Sequence, residues 1–446
     1  MYLTQSFLGL DKVLKMKVAL ILAGGKGTRL AEVRNDIPKP MMPVLGKPIL
    51  DYQITMLAQH GFTDVWLIVN HLYHHIKDYF GDGEAHNIRI HYYVEPKPLG
   101  TVGGVKALEE HLKEPFLVLY GDVMINMDLD RLIAFHQKKD ASATLVVHPN
   151  DHPYDSDLLD VDKEDKVCAF YAKPHPEGLR YRNLVNAAAY VFNPEVLEHL
   201  EPGVKADFGK DIFPDLHHKL PVYAYNTPEY LKDMGTPDRL DKVEKAIASG
   251  KVAARNLNNP QKCVFLDRDG VINIDTDLIH RPEDFELYPY AADSIKRLNS
   301  MGYLVVVVTN QSVIARGLCT EEELGDIHKK METELGMDGA FVEAIYYCPH
   351  HPHGGFEGER PEYKIPCTCR KPSPGMLLDA KERFNIDFSK SYLVGDSPRD
   401  IEAGKNAGVE TIRVKTGHGL EPHTTVPDHY VDSLISAIDI IAAQDR

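Results

Sequence analysis

Residues 17–30 read KVALILAGGKGTRL, an aliphatic run that stops at Ala23 and passes into three glycines and two cations. Such a run, with no polar alternation and a glycine turn at its end, predicts a strand covered on both faces. Working outward, PILDYQITMLAQHG (48–61) carries a helical pattern, DVWLIVN (64–70) and IRIHYYV (88–94) read as strands, TVGGVKALEEHL (101–112) as a helix, and PFLVLYGD (115–122) as another strand. This rhythm predicts βαβ units on a largely parallel sheet. SATLVVH (142–148), KVCAFYAKP (166–174) and LVNAAAYVFN (184–193) continue the sheet, and PDRLDKVEKAIASG (237–250) reads as a closing helix ending on Gly250.

A second alternation starts afresh at KCVFLDRDG (262–270) and runs through AADSIKRLNSMG, YLVVVVTNQS, EEELGDIHKKMETELG, AFVEAIYYC, SPGMLLDAKERF, SYLVGDS and VETIRV. The fold class expected is therefore α/β with two Rossmann-like domains. The expected boundaries are an extension over 1–15, a first domain over 16–250, a linker over 251–260 with little periodicity (KVAARNLNNP), and a second domain over 261–446. In open sheets of this kind the ligand sits beyond the carboxyl ends of the strands. The motifs that follow fall there.

Composition narrows the field. The chain has 446 residues, 43% hydrophobic and 26% charged, as in ordinary globular proteins, with a formal charge of −16. That balance argues against nucleic acid or anionic lipid as a partner, so any phosphate must be gripped locally. No apolar run approaches the roughly 20 residues of a membrane helix, and residues 1–15 lack the pattern of a secretion signal. Six cysteines are too few for a disulfide framework, and three fall between Cys348 and Cys369, which suits a reducing cytoplasm and one metal site. Cys168, Cys263 and Cys319 read as ordinary buried or semi-buried thiols.

The loop after the first strand, with Gly24, Gly25, Lys26, Gly27, Thr28 and Arg29, lets the backbone approach a polyphosphate while two cations supply charge. In order along residues 16–250, GGKGTRL, PKPM, PLGTVGG, LYGD, AKP, VNAAAYVFN and DMGTP resemble the sugar-1-phosphate nucleotidylyltransferase family. The resemblance implies a GT-A-like fold and the joining of a nucleoside triphosphate to a sugar 1-phosphate with release of pyrophosphate. It also implies that Gly24, Gly25, Gly27, Thr28 and Arg29 hold the triphosphate, that Lys39 touches phosphate, and that Leu99, Gly100 and Thr101 line the base pocket.

Bringing anions together at an α-phosphorus calls for a hard divalent cation on carboxylates, and Asp122 and Asp233 are the expected Mg²⁺ ligands. Lys173 matches the lysine that relatives place near the sugar phosphate, although Ala172 stands where many have Glu. Asn186 is a further candidate for a sugar or phosphate contact, with closing a turn before a strand as the alternative. The run EPKPLGTVGG resembles the heptose 1-phosphate guanylyltransferases, which favours GTP and the α-anomer.

In the second half, Asp267 and Asp269 end an apolar strand at spacing i and i+2, so both can face one phosphate, one attacking and one handling protons. With Thr309 and Asn310 after YLVVVVTN, Lys371 in CRKPSPG, and Asp396 and Asp400 in VGDSPRD, they resemble the haloacid-dehalogenase-like phosphatases over about 261–446. The resemblance implies that Asp267 is the nucleophile and Asp269 the acid and base. It places Thr309 and Lys371 on the phosphoryl group, and Mg²⁺ on Asp267, Asp396 and the backbone carbonyl of Asp269. Asp400 is either an outer support or a charge at a helix start.

Cys348, His350, Cys367 and Cys369 form a closed set of three sulfurs and one imidazole, which suits structural Zn²⁺, with His351 and His353 as competing nitrogen donors. Zinc there would fix Arg370 and Lys371 at the phosphate. CPHHP, CTCRKPSPGM, TNQSVIARG and LDRDGVIN resemble the heptose 1,7-bisphosphate 7-phosphatases, with histidinol-phosphate phosphatases as near relatives. Arg316 and Arg370 would meet the remote phosphate of a bisphosphorylated sugar.

A phosphatase that leaves a sugar 1-phosphate and a transferase that consumes one are consecutive steps. The reading is a bifunctional enzyme supplying a nucleotide sugar for surface polysaccharide, with Mg²⁺ and structural Zn²⁺ as cofactors. Its partners are a nucleoside triphosphate and sugar phosphates, with neither nucleic acid nor membrane, and a homo-oligomer is compatible with the sequence. The alternatives are a uridylyl- or cytidylyltransferase fused to a phosphatase for another sugar, and a catalytically dead regulatory protein.

Overall fold

The computed structural model describes residues 16–25, 36–422 and 425–445. Lys26, Gly27, Thr28 and Arg29 of the glycine loop, and the extension expected over 1–15, lie outside the described residues.

The first strand, Val18–Leu22, sits in the middle of a nine-stranded sheet. It pairs in parallel with Asp64–Val69 on one side and Phe116–Tyr120 on the other, and Arg89–Val94 extends that edge. Ala19, Leu20 and Ile21 are wholly buried, as a strand covered on both faces requires. The parallel arrangement ends at Val185–Phe192, which runs antiparallel to Phe116–Tyr120 and to Ala143–His148, so the sheet is mixed rather than largely parallel. Pairing across that strand buries Tyr190 and Phe192 against Phe116, Phe208 and Phe213, an aromatic core that fixes its direction.

A two-stranded ribbon stands apart from this sheet and decides where the chemistry lies. Tyr230–Asp233 pairs antiparallel with Val123–Asn126, with Asp233 opposite Val123, and the Met234 amide donates to the Asp122 carbonyl at 3.1 Å. Two aspartates 111 positions apart in the chain thereby become neighbours. The closing helix follows as Pro237–Ala248, capped by the Thr236 hydroxyl and ended by Gly250 with φ 76°.

The expected linker is not loose. Lys251–Ala254 forms a short helix, Leu257 is buried, and the Gln261 amide closes the segment by donating to the carbonyls of Ala254, Asn256 and Asn259. Its polarity, which reads as solvent exposure in sequence, is spent on internal hydrogen bonds. Cys168 also departs from expectation: it is exposed, because it falls on the open face of the edge strand Val167–Tyr171.

The second sheet has six parallel strands in the order Ala344–Cys348, Leu304–Asn310, Cys263–Leu266, Tyr392–Gly395, Glu410–Val414 and His429–Val431. From the central Cys263–Leu266 the chain first builds outward on one side and later on the other. Asp267 leaves the sheet at this switch point, where neighbouring connections diverge and leave a crevice. The two halves are tied directly: Arg182 pairs with buried Glu332 at 2.5 Å, Lys329 with Asp160 at 2.6 Å, and Asn226 donates to the Glu343 carbonyl at 2.8 Å.

Candidate active sites

In the amino-terminal half, the ends of the parallel strands open into a cavity of about 700 Å³ lined by Leu22, Gly24, Gly25, Lys39, Tyr120 and Asp122, with Glu95, Gly100 and Thr101 on one wall. Gly100 has φ +77° and its hydrogen faces the Ala206 carbonyl, where a Cβ would come within 2.1 Å, so only glycine fits this wall. The Thr101 hydroxyl donates to Asp207 at 3.1 Å and accepts from the Phe208 amide at 2.9 Å. Leu99, expected on this wall, does not line the cavity: its side chain lies against the Gly103 Cα.

Glu95 is 8% exposed, and its Oε1 has no hydrogen-bond partner among the described residues. Burial pushes its carboxyl up, and a hydrogen bond from the Leu99 backbone only partly opposes this. A buried acceptor without a donor is costly, so a ligand that brings donors would relieve it.

At the floor, the Lys39 ammonium pairs with Asp122 and lies 3.2 Å from Asp233 Oδ1, while Arg239 pairs with the other Asp233 oxygen. Burial pushes the Asp233 carboxyl up, but the Lys39 and Arg239 charges outweigh it and hold the group below the usual range. Lys39, expected on phosphate, is thus the counter-ion of the two expected metal ligands. Asp122 lines the cavity, and with Asp233 it offers the two carboxylates that suit Mg²⁺, which keeps waters and takes substrate phosphate oxygens for its remaining positions.

Lys173 and Asn186 are not brought to this cavity. The Lys173 ammonium donates to the Asp155 carbonyl at 3.0 Å and lines a separate cavity of about 810 Å³ that Thr333 and Met337 of the second half also line. Asn186 donates to the Tyr190 hydroxyl at 3.1 Å, because an irregularity in pairing after Asn186 turns its amide along the strand.

In the carboxy-terminal half, Lys371 is 2% exposed and its ammonium lies 2.9 Å from Asp267, 2.6 Å from Asp400 and 2.7 Å from the Val308 carbonyl. Asp400 also accepts from the Ser397 amide and hydroxyl at 2.9 and 2.6 Å, so its oxygens are engaged at the helix start. Asp396 accepts from the His418 amide at 2.7 Å. Burial, then the neighbouring carboxylates, push Asp267 and Asp396 up, whereas Lys371 keeps Asp400 down against its burial.

Oxygens of Asp267, Asp396 and Asp400 all lie within 4.8 Å of one another. Three carboxylates against one ammonium carry an excess of acid, which pushes Asp267 and Asp396 up and which a divalent cation would relieve by holding them ionised. Gly270, with φ +79°, leaves the space beside Asp396 that a Cβ would fill at 2.4 Å.

The Asp269 carboxylate is gripped by the fully buried Arg268 through two bonds of 2.9 Å, and Asn273 and Gln311 also donate to it. Gln311 also bonds the Thr309 hydroxyl at 2.9 Å, linking the two strand ends. Asn310 exchanges hydrogen bonds of 3.0 Å with the Lys371 backbone in both directions, a clamp that sets the lysine's height.

Beside this site, Cys348, His350, Cys367 and Cys369 converge with their ligand atoms within 4.8 Å of one another. Sulfur separations of 3.2 and 3.6 Å from Cys348, and 3.4 Å from His350 Nδ1 to Cys369, approach the edges of about 3.5–3.8 Å expected when N and S ligands sit about 2.0–2.3 Å from one tetrahedral centre. His350 is the nitrogen in the cluster; His351 instead faces the His353 carbonyl at 3.1 Å. The donor set fits zinc. Arg370 donates to the His350 carbonyl at 2.9 Å, so the cluster positions it. Burial pushes the Arg370 guanidinium down, and the nearby Arg399 and Arg316 add to this, which marks a gathering of three cations. Arg316 stacks 4.2 Å over Phe356 and its buried Nε has no partner among the described residues.

Beside Arg268, Asn273 and Gln311 around Asp269, the site residues absent from the sequence expectations include Glu95, Arg239 and Arg399. Each of the last three lies inside a stretch already singled out, EPKPLG, the segment after DMGTP, and SPRD, but nothing in the string distinguishes it from a solvated charge. No helix among the described residues is long and apolar enough to cross a membrane.

A family model described as nucleotidyl transferase matches residues 18–250, and one described as HAD-hydrolase-like matches residues 368–437. The D-glycero-beta-D-manno-heptose-1,7-bisphosphate 7-phosphatase of Escherichia coli K12 is 40% identical over 185 residues, covering 41% of this chain and 95% of that protein. The UTP–glucose-1-phosphate uridylyltransferase of Synechocystis is 35% identical over 236 residues, 49% of this chain and 61% of that one. The crystal structure of HddC from Yersinia pseudotuberculosis complexed with GMP-PN is 27% identical, with 52% of this chain and all of that one covered and a TM-score of 0.45.

Proposed function

The chain belongs to the nucleotidyl transferase family through residues 18–250 and to the heptose-1,7-bisphosphate 7-phosphatase family through its carboxy-terminal part, and from that premise we propose that it works as a two-step enzyme in the cytoplasm. It removes the 7-phosphate of D-glycero-D-manno-heptose 1,7-bisphosphate, then transfers GMP from GTP to the heptose 1-phosphate, giving GDP-heptose and pyrophosphate. Domain limits of 16–250 and 261–446, joined by the packed segment 251–260, go with this reading.

The guanine assignment rests on Glu95. Guanine presents N1–H and the exocyclic amine side by side, two donors matched to one carboxylate, whereas uracil or thymine sets a single N–H between two carbonyl oxygens that a carboxylate repels. The place of Glu95 on the cavity wall supports the first. The uridylyltransferase name of the Synechocystis relative is the runner-up reading. The backbone of Gly100 and the Thr101 side would close the base pocket, and the amides of Gly24 and Gly25 would face the triphosphate. Gly27, Thr28 and Arg29 would complete that loop. In the transfer, a phosphate oxygen of the sugar 1-phosphate attacks the α-phosphorus and the bond to the β-phosphate breaks. Lys39 would move from its aspartates onto phosphate oxygen as charge develops. Lys173 would take up the sugar phosphate only after leaving Asp155, and Asn186 would act through Tyr190.

In the phosphatase half, Asp267 would attack the 7-phosphorus and form an aspartyl-phosphate. Asp269, released from Arg268, would protonate the leaving sugar oxygen and then take a proton from the attacking water. Thr309 and Lys371 would hold the phosphoryl oxygens, Asn310 and Asp400 would position Lys371, and Arg316 and Arg370 would anchor the 1-phosphate. Asp267, Asp396 and the Asp269 carbonyl would hold Mg²⁺ here, as Asp122 and Asp233 would in the other half; in both places the cation offsets the negative charge of the reacting phosphate. Cys348, His350, Cys367 and Cys369 would hold Zn²⁺ as a structural tie.

The test is to supply α- and β-heptose 1,7-bisphosphate with each nucleoside triphosphate and to follow orthophosphate and pyrophosphate separately. Pyrophosphate only with GTP, and only after orthophosphate appears, is the expected result. Asp267→Asn should stop orthophosphate release and spare transfer to pre-made heptose 1-phosphate. Loss of both together would overturn the separation of the two sites.

A further inference from the structure

Between the two halves lies a cavity of about 650 Å³ that neither proposed reaction uses. The strand Tyr230–Asp233 and helix Pro237–Ala248 supply Lys232, Lys242 and Lys245, the short helix Lys251–Ala254 supplies Lys251, and helix Ala291–Met301 of the second half supplies Lys296. Partners for these ammonium groups are few. Lys245 is matched by Asp241 at 2.6 Å, Lys296 donates to the Asp338 carbonyl at 3.1 Å, and Lys232 has Asp151 at 3.9 Å. Among the described residues Lys242 and Lys251 form no salt bridge. Burial, with Arg255 beside it, holds the Lys251 ammonium below the usual lysine range.

The acids of the cavity do little to balance this. Glu343 is matched by Arg255 at 3.4 Å and by the Val305 amide, and Glu229 is turned inward onto the amides of Asp128 and Leu257. Burial pushes both carboxyls up to about 7, so neither is fully charged at neutral pH. Asp151 and Asp233 both act on Lys232, and Asp151 also binds His152 at 2.7 Å. A chain of net charge −16 has therefore placed Lys232 and three lysines that keep much of their surface exposed, Lys242, Lys251 and Lys296, around one hollow. Tyr230, Leu231, Ala246 and Phe341 make the rest of its wall apolar and partly aromatic.

A rim of lysines is where an anion would be met, and a wall that is part cationic and part aromatic suits a ligand with the same division. We propose that this interdomain cavity is a second nucleotide site, binding a nucleoside diphosphate with its phosphates on Lys232, Lys242, Lys251 and Lys296 and its base or sugar against Tyr230 and Phe341. Lys232 precedes Asp233 in a two-stranded ribbon, so a ligand here touches the strand that carries an aspartate of the transferase cavity. The site needs both halves, because Lys296 and Phe341 come from the second. The count of two GDP used below rests on the guanine reading of the transferase cavity proposed above, whereas the site lost on lysine reversal is the one at issue here.

The test is calorimetric titration of the full chain with GDP and with methylenediphosphonate. The unaltered chain should bind two GDP, and the double variant Lys251→Glu, Lys296→Glu should bind one, the lost site weakening at least tenfold. Lys251→Arg with Lys296→Arg should restore it, and phosphatase turnover within twofold of the parent in every variant shows that the fold is intact. Two GDP sites in the charge-reversed chain, or a single site in the parent that disappears with Glu95→Gln, would overturn the proposal. Methylenediphosphonate binding the lysine site as tightly as GDP would overturn the nucleoside assignment.

Discussion

The Lys39 ammonium stands 3.2 Å from Asp233 Oδ1 while pairing with Asp122, so one lysine joins two carboxylates that the chain places 111 residues apart. It occupies the ground between the acids and the cavity that opens above them. A cation or a triphosphate arriving there must redirect this lysine, which makes it the switch between an empty and a loaded floor.

Lys39→Met should therefore lower nucleotidyl transfer by about 10²–10³-fold, the usual loss when one charge-stabilising donor is removed. Orthophosphate release by the other half should stay within twofold. Steady-state rates of the two half-reactions measured on one preparation check this, and an equal fall in both would place Lys39 in the fold rather than in the chemistry.

Glu95→Gln replaces a pure acceptor by a group with both an acceptor and a donor. Selectivity for GTP over UTP should fall by roughly 10–100-fold, in the range of 1–3 kcal/mol that a paired base contact carries. The ratio of kcat/KM for the two nucleotides is the measurement, and an unchanged ratio would remove Glu95 from base recognition.

One equivalent of zinc per chain is expected by elemental analysis. Cys369→Ser should release it and lower the thermal midpoint of the phosphatase half, since a closed metal site contributes folding energy. The amino-terminal transfer activity should survive at temperatures where orthophosphate release is lost.

Glu229 and Glu343 give the pH dependence a definite sign. Both are buried with folded values raised from the ordinary carboxyl range to about 7, so each favours the native state below its unfolded pKa and loses that advantage as pH rises through about 7. Each tenfold change in a group's proton affinity on folding is worth roughly 1.4 kcal/mol, so Glu229 alone accounts for a loss of up to about 3 kcal/mol between about pH 4.5 and 8. Denaturant midpoints should fall over that window, and Glu229→Gln should flatten the fall; a steeper fall in the variant would reverse the assignment.

Much of this was legible in the string. Aliphatic runs ending in glycine or aspartate fixed the strands and put Asp122, Asp267 and Lys371 at strand or loop ends, because burial on both faces removes polar alternation and leaves function to the connections. The closed Cys and His set could be read from spacing, although only the packing chose His350 over His351 and His353, by turning the latter pair toward each other. Asp400 was ambiguous for a similar reason: a helix-start acid and a lysine partner look alike in one dimension, and here the residue is both.

What the amino-acid order determined by itself was local: periodicity, turns, and the type of donor at each strand end. The tertiary structure alone decided which charges meet. Lys39 became the partner of Asp233 through the pairing of Tyr230–Asp233 with Val123–Asn126, Glu95 became a buried acceptor, and lysines from both halves came to face one hollow. Those outcomes depend on contacts between distant segments, and electrostatic and desolvation energies fall off over a few ångströms in space rather than over positions in a chain.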